Sequence, residues 1–168
     1  TGTLASSTVT SIDAYTTGTV TLSGAGSLTL SSTAGQTVDL SGVTNSLSGT
    51  LTINDSTGNE NITGTSGNDT INISSGSDTV NAGSGADTIN IAINNLDNAD
   101  IIAGGIGADT LNFTSTGSIA SGDFTNVSGI ETINFANGTN TLTQIVNTLN
   151  GIIVNGGTVD DTFVFNDA

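Results

Sequence analysis

No lysine, arginine or histidine occurs anywhere in the 168 residues, against 15 aspartates and glutamates, so the formal net charge is −15 and the pI near 4.1. Without basic side chains to neutralise phosphates and release counterions, nucleic acid is excluded as a partner, and so is docking on anionic lipid headgroups. Cysteine is absent too, which removes disulfides; with histidine also missing, a zinc or redox-metal site has no ligands. No apolar run approaches the roughly 18 residues a membrane helix requires, so no direct membrane insertion is expected. The opening TGTLASSTVT has neither an initiator Met nor a basic n-region, and the chain reads as a fragment or a processed product. With no Trp, one Tyr and five Phe there is no aromatic platform for a stacked ligand.

The same absences bear on catalysis. Ser and Thr are abundant but have no His or Lys to activate them. Polysaccharide lyases built on parallel β-helices generally use a basic residue to abstract the proton, and none exists here. Asp160 and Asp161 are neighbours, and in a strand neighbours face opposite ways; the order GGTVDD reads as a calcium-binding turn instead. The chain is not expected to be an enzyme.

What is present is a neutral polar sequence with sparse carboxylates: 34% hydrophobic, 9% charged, with β-branched residues alternating with Ser, Thr and Asn almost throughout. That alternation favours ordered β structure over the disorder an acidic Gly-rich composition first suggests. Only oxygen is available to bind a cation, which points to Ca2+, a hard ion that takes about six to eight carboxylate, carbonyl and water oxygens in flexible geometry.

The acids are periodic. DSTGNENIT (55–63), GTSGNDTIN (64–72), ISSGSDTVN (73–81) and AGSGADTIN (82–90) repeat with Gly58, Gly67, Gly76 and Gly85 in register. Glu60, Asp69, Asp78 and Asp87 form an acidic column, and Ile62, Ile71, Val80 and Ile89 an aliphatic one. After Asn90 the phase slips by four residues, and NADIIAGGIGADTLN (98–112) resumes with Asp100 and Asp109. A solvated acidic face requires no such period. Gly-rich turns let the backbone aim successive carbonyls inward while the Asp supplies a carboxylate at a fixed offset. In coils stacked at about 4.8 Å, groups from adjacent turns on one edge converge on a shared cation. The expected pairs are Asp69 with Asp87, Asp87 with Asp109, Glu60 with Asp78, and Asp78 with Asp100.

These units resemble the RTX nonapeptide family, G-G-x-G-x-D-x-U-x with U a large aliphatic residue, and GGIGADTLN (104–112) fits it at every defined position. The resemblance implies an all-β, right-handed parallel β-roll or β-helix solenoid whose turns bind several calcium ions. It implies as metal-site residues Glu60, Asp69, Asp78, Asp87, Asp100 and Asp109, with the turn glycines Gly67, Gly76, Gly85, Gly105 and Gly107. It also implies type I secretion, with folding held off in the low-calcium cytosol. The sequence departs from the pattern where Ser, Thr or Ala replaces the first or second Gly, at Asn98 in place of the third Gly, and at Glu60 in place of Asp.

The period extends past the nonapeptides. Thr-aliphatic-Asn recurs at Thr52-Ile53-Asn54, Thr70-Ile71-Asn72, Thr88-Ile89-Asn90, Thr110-Leu111-Asn112 and Thr132-Ile133-Asn134, with a further rung at Val154-Asn155. Opposite it run Ile62, Val80, Ile102 and Phe124, so one solenoid is expected to widen after Asn90. Thr70, Thr88 and Thr110 line up as an ice-binding array would require, yet they occupy the ordinary strand slot beside the aliphatic ladder. Three regions follow: a β-rich segment (1–54), the calcium-binding β-roll (55–112), and wider coils with one short helix near 140–150 and a truncated repeat at the end (113–168). The helix is suggested by Leu142, Ile145, Val146 and Leu149 on one stripe. With one or two apolar residues per nine, the core is thin against a backbone ordering cost of about 1–2 kcal/mol per residue, so the ion-free chain is expected to be largely unfolded.

SSTVTSIDAYTTGTVTLSG (6–24) and FTNVSGIETINFANGT (124–139) resemble segments that flank RTX blocks in bacterial surface-layer proteins. The expected function is an extracellular structural protein, a calcium-dependent self-assembling subunit or segment of a surface layer or filament. The alternative is the carrier module of a larger secreted hydrolase, toxin or adhesin. Self-association through solenoid ends is the expected partnership, with cell-surface polysaccharide as a further contact.

Overall fold

The computed structural model describes residues 2–4, 20–24, 27–47, 49–120, 122–145 and 151–166. All strand pairs among them are parallel, as in a solenoid of about six turns. A seven-stranded sheet stacks β3 (Leu28–Ser31), β6 (Leu51–Asn54), β8 (Asp69–Ile73), β10 (Thr88–Ile91), β12 (Thr110–Phe113), β15 (Thr132–Asn134) and β17 (Ile153–Asn155) in sequence order. A five-stranded sheet stacks β4 (Thr37–Asp39), β7 (Asn61–Thr63), β9 (Thr79–Asn81), β11 (Ile101–Ala103) and β14 (Val127–Ser128). Two three-stranded sheets complete the walls: β1 (Gly2–Leu4), β2 (Val20–Gly24) and β5 (Val43–Leu47), and β13 (Ser118–Ile119), β16 (Thr141–Ile145) and β18 (Thr162–Asn166).

Strand alternation explains the coil. In each Thr-aliphatic-Asn triplet the aliphatic residue points inward and its polar neighbours outward. Leu30, Ile53, Ile71, Ile89, Leu111, Ile133 and Val154 pair in one unbroken column. Ile53, Ile71, Ile89, Leu111 and Ile133 are fully buried, as are Ile62 and Ile102 of the opposite sheet. On the outer face each Asn amide donates to the Asn one coil before it, from Asn72 to Asn54 through Asn155 to Asn134, at 2.6–3.0 Å. This polar ladder fixes the register from outside as the aliphatic ladder does from inside.

Coil width follows side-chain size. The narrow coils from β6 to β10 enclose only aliphatic apolar side chains, Leu51 with Ile, Val and Ala. The inserted residues after Asn90 bring Ile93 and Leu96 into the core, and the wider coils are filled by phenylalanine. Phe113 packs edge-on to Phe124 (6.3 Å between ring centres) and stacks against Phe135 (5.0 Å), which meets Phe163 (5.6 Å).

Two expectations are corrected. The short helix near 140–150 is replaced over Thr141–Ile145 by β16, paired on one side with β13 and on the other with β18; Val146 and Leu149 lie outside the described residues. Among the described residues there is no helix. The strand expected at Phe124 lies instead at Val127-Ser128, which pairs with Ile102-Ala103. Phe124 is buried but sits in the turn before that strand, where it fills the widened coil without joining the sheet.

Candidate metal centre

The acidic column is buried because of where the strand register puts it. Asp69 and Ile71 are two residues apart in β8 and so share the inward face. The pairing makes the point sharply: Leu28 pairs with Leu51, and Leu51 pairs with Asp69. A slot that is aliphatic in the first two coils therefore becomes aspartate in the next ones. Asp78, Asp87 and Asp109 are no more than 1% exposed, and Glu60, Asp69 and Asp100 only 2%. A carboxylate in that position demands a counter-charge, and the sequence has no basic side chain to provide one.

Two edges carry these slots. On the first edge, the turns 55–60, 73–78 and 95–100 run from the seven-stranded to the five-stranded sheet. On the second, the turns 64–69, 82–87, 104–109 and 129–131 run back. After the first acid of each edge, Glu60 and Asp69, every carboxylate reaches back one coil and accepts the backbone N–H of the acid there. Asp78 accepts from Glu60 (2.9 Å) and Asp100 from Asp78 (2.9 Å). Asp87 accepts from Asp69 (2.8 Å), Asp109 from Asp87 (2.8 Å) and Glu131 from Asp109 (2.7 Å). All four pairs expected from the sequence are thus brought together, and Glu131 extends the second edge by one more rung.

These bonds use one oxygen of each accepting carboxylate, and Glu60 Oε1 accepts the Gly35 N–H and the Ser56 hydroxyl. Glu60 Oε2, Asp78 Oδ2, Asp87 Oδ2 and Asp109 Oδ2 are buried without any hydrogen-bond partner. Among the described residues the orphaned buried side-chain atoms are thus all acceptors on acidic side chains, two on each edge. Burial pushes the Asp87 carboxyl up to about 7 against an ordinary 3.8, with the Asp69 and Asp109 charges adding to it. Burial also raises Asp69, Asp78 and Asp109. Anionic, oxygen-only, desolvated and lacking donors, these positions fit a divalent hard cation, which would supply the missing partner and hold the carboxylates ionised.

Asp69 and Asp100 differ from the other four. Asp69 is engaged by Thr65 through its N–H (2.6 Å) and hydroxyl (2.9 Å) and by the Asn45 amide (3.3 Å). Asp100 also accepts the Asp97 N–H on its second oxygen (3.0 Å). The turn glycines serve close backbone approach: a Cβ on Gly107 would lie 1.5 Å from the Gly85 carbonyl oxygen, and one on Gly76 1.4 Å from that of Gly58. Gly85 (φ 121°) and Gly105 (φ 108°) are left-handed as well, whereas Gly67 packs over Asn45 without a positive φ.

Asp55 is a group that the acidic column alone does not reveal. It stands where the repeat has its first Gly, yet its carboxylate gathers with Glu60 and Asp78, the three ligand oxygens lying within 4.8 Å of one another. Burial raises it to about 7, with the Glu60 and Asp78 charges contributing. The only sequence signal was an acid inside a turn otherwise made of small residues. Thr65 and Glu131 were also missed, the latter because NVSGIETIN (126–134) keeps only the third Gly and the aliphatic of the pattern.

Residues 55–89 and 96–112 match the family model of the RTX calcium-binding nonapeptide repeat, in four copies. No curated protein and no solved structure gives a match to the chain. The stack therefore carries RTX repeats, and such repeats bind calcium through a structural rather than a catalytic module and are typical of secreted proteins.

Proposed function

We propose, from the premise of a chain that carries RTX calcium-binding repeats, that it is an extracellular structural protein: a calcium-dependent, self-assembling subunit or segment of a bacterial surface layer or filament. Calcium would be held on the first edge by Glu60, Asp78 and Asp55, and on the second by Asp87 and Asp109. Asp69 and Asp100 complete the columns, and the turns of Gly67, Gly76, Gly85, Gly105 and Gly107 bring their backbone carbonyls close. The ion supplies positive charge where the fold has buried negative charge, so folding and ion binding are one equilibrium.

Continuity carries the structural reading. One column of paired strands runs from Leu28 to Asn155, and the described residues form solenoid walls throughout, with no separate unit to hold an activity. No helix among the described residues is long and apolar enough to cross a membrane. Among the described residues, β3 and β17 each have one neighbour in the seven-stranded sheet, so each offers an edge to which a further coil can pair. A net charge of −15 opposes contact between copies, and bound calcium lowers that barrier. Electron microscopy of the purified chain with and without calcium tests this. Ordered sheets or filaments that dissolve in chelator are expected; monodisperse particles at every calcium level would favour the carrier-module reading instead.

A further inference from the structure

The wide coils have a third edge, the turns 135–140 and 156–161 that lead from the seven-stranded sheet into β16 and β18. It lies outside the residues matched by the repeat family. Its geometry is nonetheless that of the other two. Asn140 and Asp161 occupy the acid slot, two residues before the inward-facing Leu142 and Phe163. Asp161 reaches back to accept the Asn140 N–H (3.0 Å), as Asp87 does from Asp69. The Gly157 N–H bonds Asp161 Oδ2 (2.8 Å), as the Thr65 N–H bonds Asp69. Gly138, two residues before Asn140, has φ 134°, matching the left-handed Gly85 two residues before Asp87. An Asn side chain also accepts the N–H of the next coil on both edges, from three residues before the slot here (Asn137 from Thr158, 3.2 Å) and from one residue before it on the second edge (Asn68 from Ala86, 2.8 Å).

The difference lies in Asn140, which is fully buried. Its Nδ2 faces three oxygens: the carbonyls of Ala136 (2.8 Å) and Gly138 (2.9 Å), both in its own turn, and Asp161 Oδ1 (2.8 Å) of the next. Its Oδ1 accepts the Gly117 N–H (3.3 Å). The reverse amide orientation would set an oxygen against two carbonyls and a carboxylate, so the network fixes which end is the NH2. At the corresponding position of the other edges, Asp78, Asp87 and Asp109 each present a buried oxygen with no partner. Here the amide leaves none.

We propose that the Asn140 carboxamide takes at the third edge the place that calcium takes at the first two, drawing two turn carbonyls and the next coil's carboxylate onto one neutral hydrogen-bond donor, so that this edge closes without metal. The proposal rests on the calcium reading above. It makes the solenoid a composite: two edges gated by calcium and one that is not. Replacing the amide by a carboxylate would put a second anion among the same oxygens and create a cation site.

Calcium ions per chain, counted by native mass spectrometry after dialysis against calcium, test this in wild type, Asn140→Asp and Asp161→Asn. Asn140→Asp is expected to bind one ion more than wild type, and its melting temperature, measured in calcium, to fall more steeply than that of wild type as the calcium concentration is lowered. Asp161→Asn is expected to bind as many ions as wild type. An ion lost in Asp161→Asn, or no ion gained in a folded Asn140→Asp chain, overturns the proposal. Should Asn140→Asp fail to fold even in calcium, the Asp161→Asn count decides. A wild-type count of zero refutes the calcium reading of the first two edges by itself, while the increment in Asn140→Asp still decides the third.

Discussion

Replacing Asp87 by Asn should reverse its effect on stability according to whether calcium is present. Asp87 Oδ1 accepts the Asp69 N–H at 2.8 Å, a bond that the Asn carbonyl preserves; what the substitution removes is Oδ2, buried and unpartnered. In calcium at about a hundred times Kd, a site bound only by the folded state contributes about 2.7 kcal/mol. Asp87 stands between Asp69 and Asp109 on its edge, so a loss of about 3–5 kcal/mol covers impairment of one to two sites. In chelator at pH 8 the sign changes. The variant no longer buries an oxygen without a donor, a cost of about 1–3 kcal/mol, and its new NH2 can meet turn carbonyls as that of Asn140 does. Urea unfolding in calcium, and the far-UV β signal recovered by a stabilising osmolyte in chelator, give the two measurements. Wild type should be the more stable in calcium and Asp87→Asn the more structured without it. Equal destabilisation in both media would refute the assignment and leave Asp87 a packing residue.

Acid should partly replace calcium. Asp55 and Asp87 are pushed by burial to about 7 against an ordinary 3.8, so the folded ion-free chain holds protons that the unfolded chain releases. Its stability is then fully present below about pH 4 and is lost as pH rises through about 7; a pH titration of the β signal in chelator should show structure gained on acidification. Gly107→Ala should cost about 1–3 kcal/mol or more, since its Cβ would lie 1.5 Å from the Gly85 carbonyl, whereas Gly42→Ala, with nothing within 4 Å, should change stability by less than about 0.5 kcal/mol in the same urea assay. Asn112→Ala breaks the amide bonds to Asn90 (3.0 Å) and Asn134 (2.8 Å) in mid-ladder, and calcium-loaded melts should show a loss of about 1–2 kcal/mol.

The register of this solenoid was legible in the sequence because each coil must place an inward aliphatic beside the last. From Ile53 to Val154 the spacing alone gave the partners, and with them the carboxylate pairs on both edges. What the sequence left ambiguous was which apolar residues are strand and which are filling. Phe124 follows Ile102 at the same interval that separates Ile89 from Leu111, and it is buried, but the widened coil needs its ring in a turn and pairs Val127 instead. Leu142 and Ile145 suit a helical stripe as well as a strand; pairing with β13 one coil back and β18 one coil on, which no local pattern reports, settles β16. Asp55 escaped notice because its role depends on Glu60 and Asp78 converging from the same turn and the next coil.

The central claim is that calcium supplies the charge this fold buries and the sequence lacks. Circular dichroism of the chain titrated with calcium and then with excess chelator tests it directly. The account predicts a β signal that grows with calcium, saturates, and collapses on chelation at neutral pH. A full β signal that persists unchanged in chelator would contradict it.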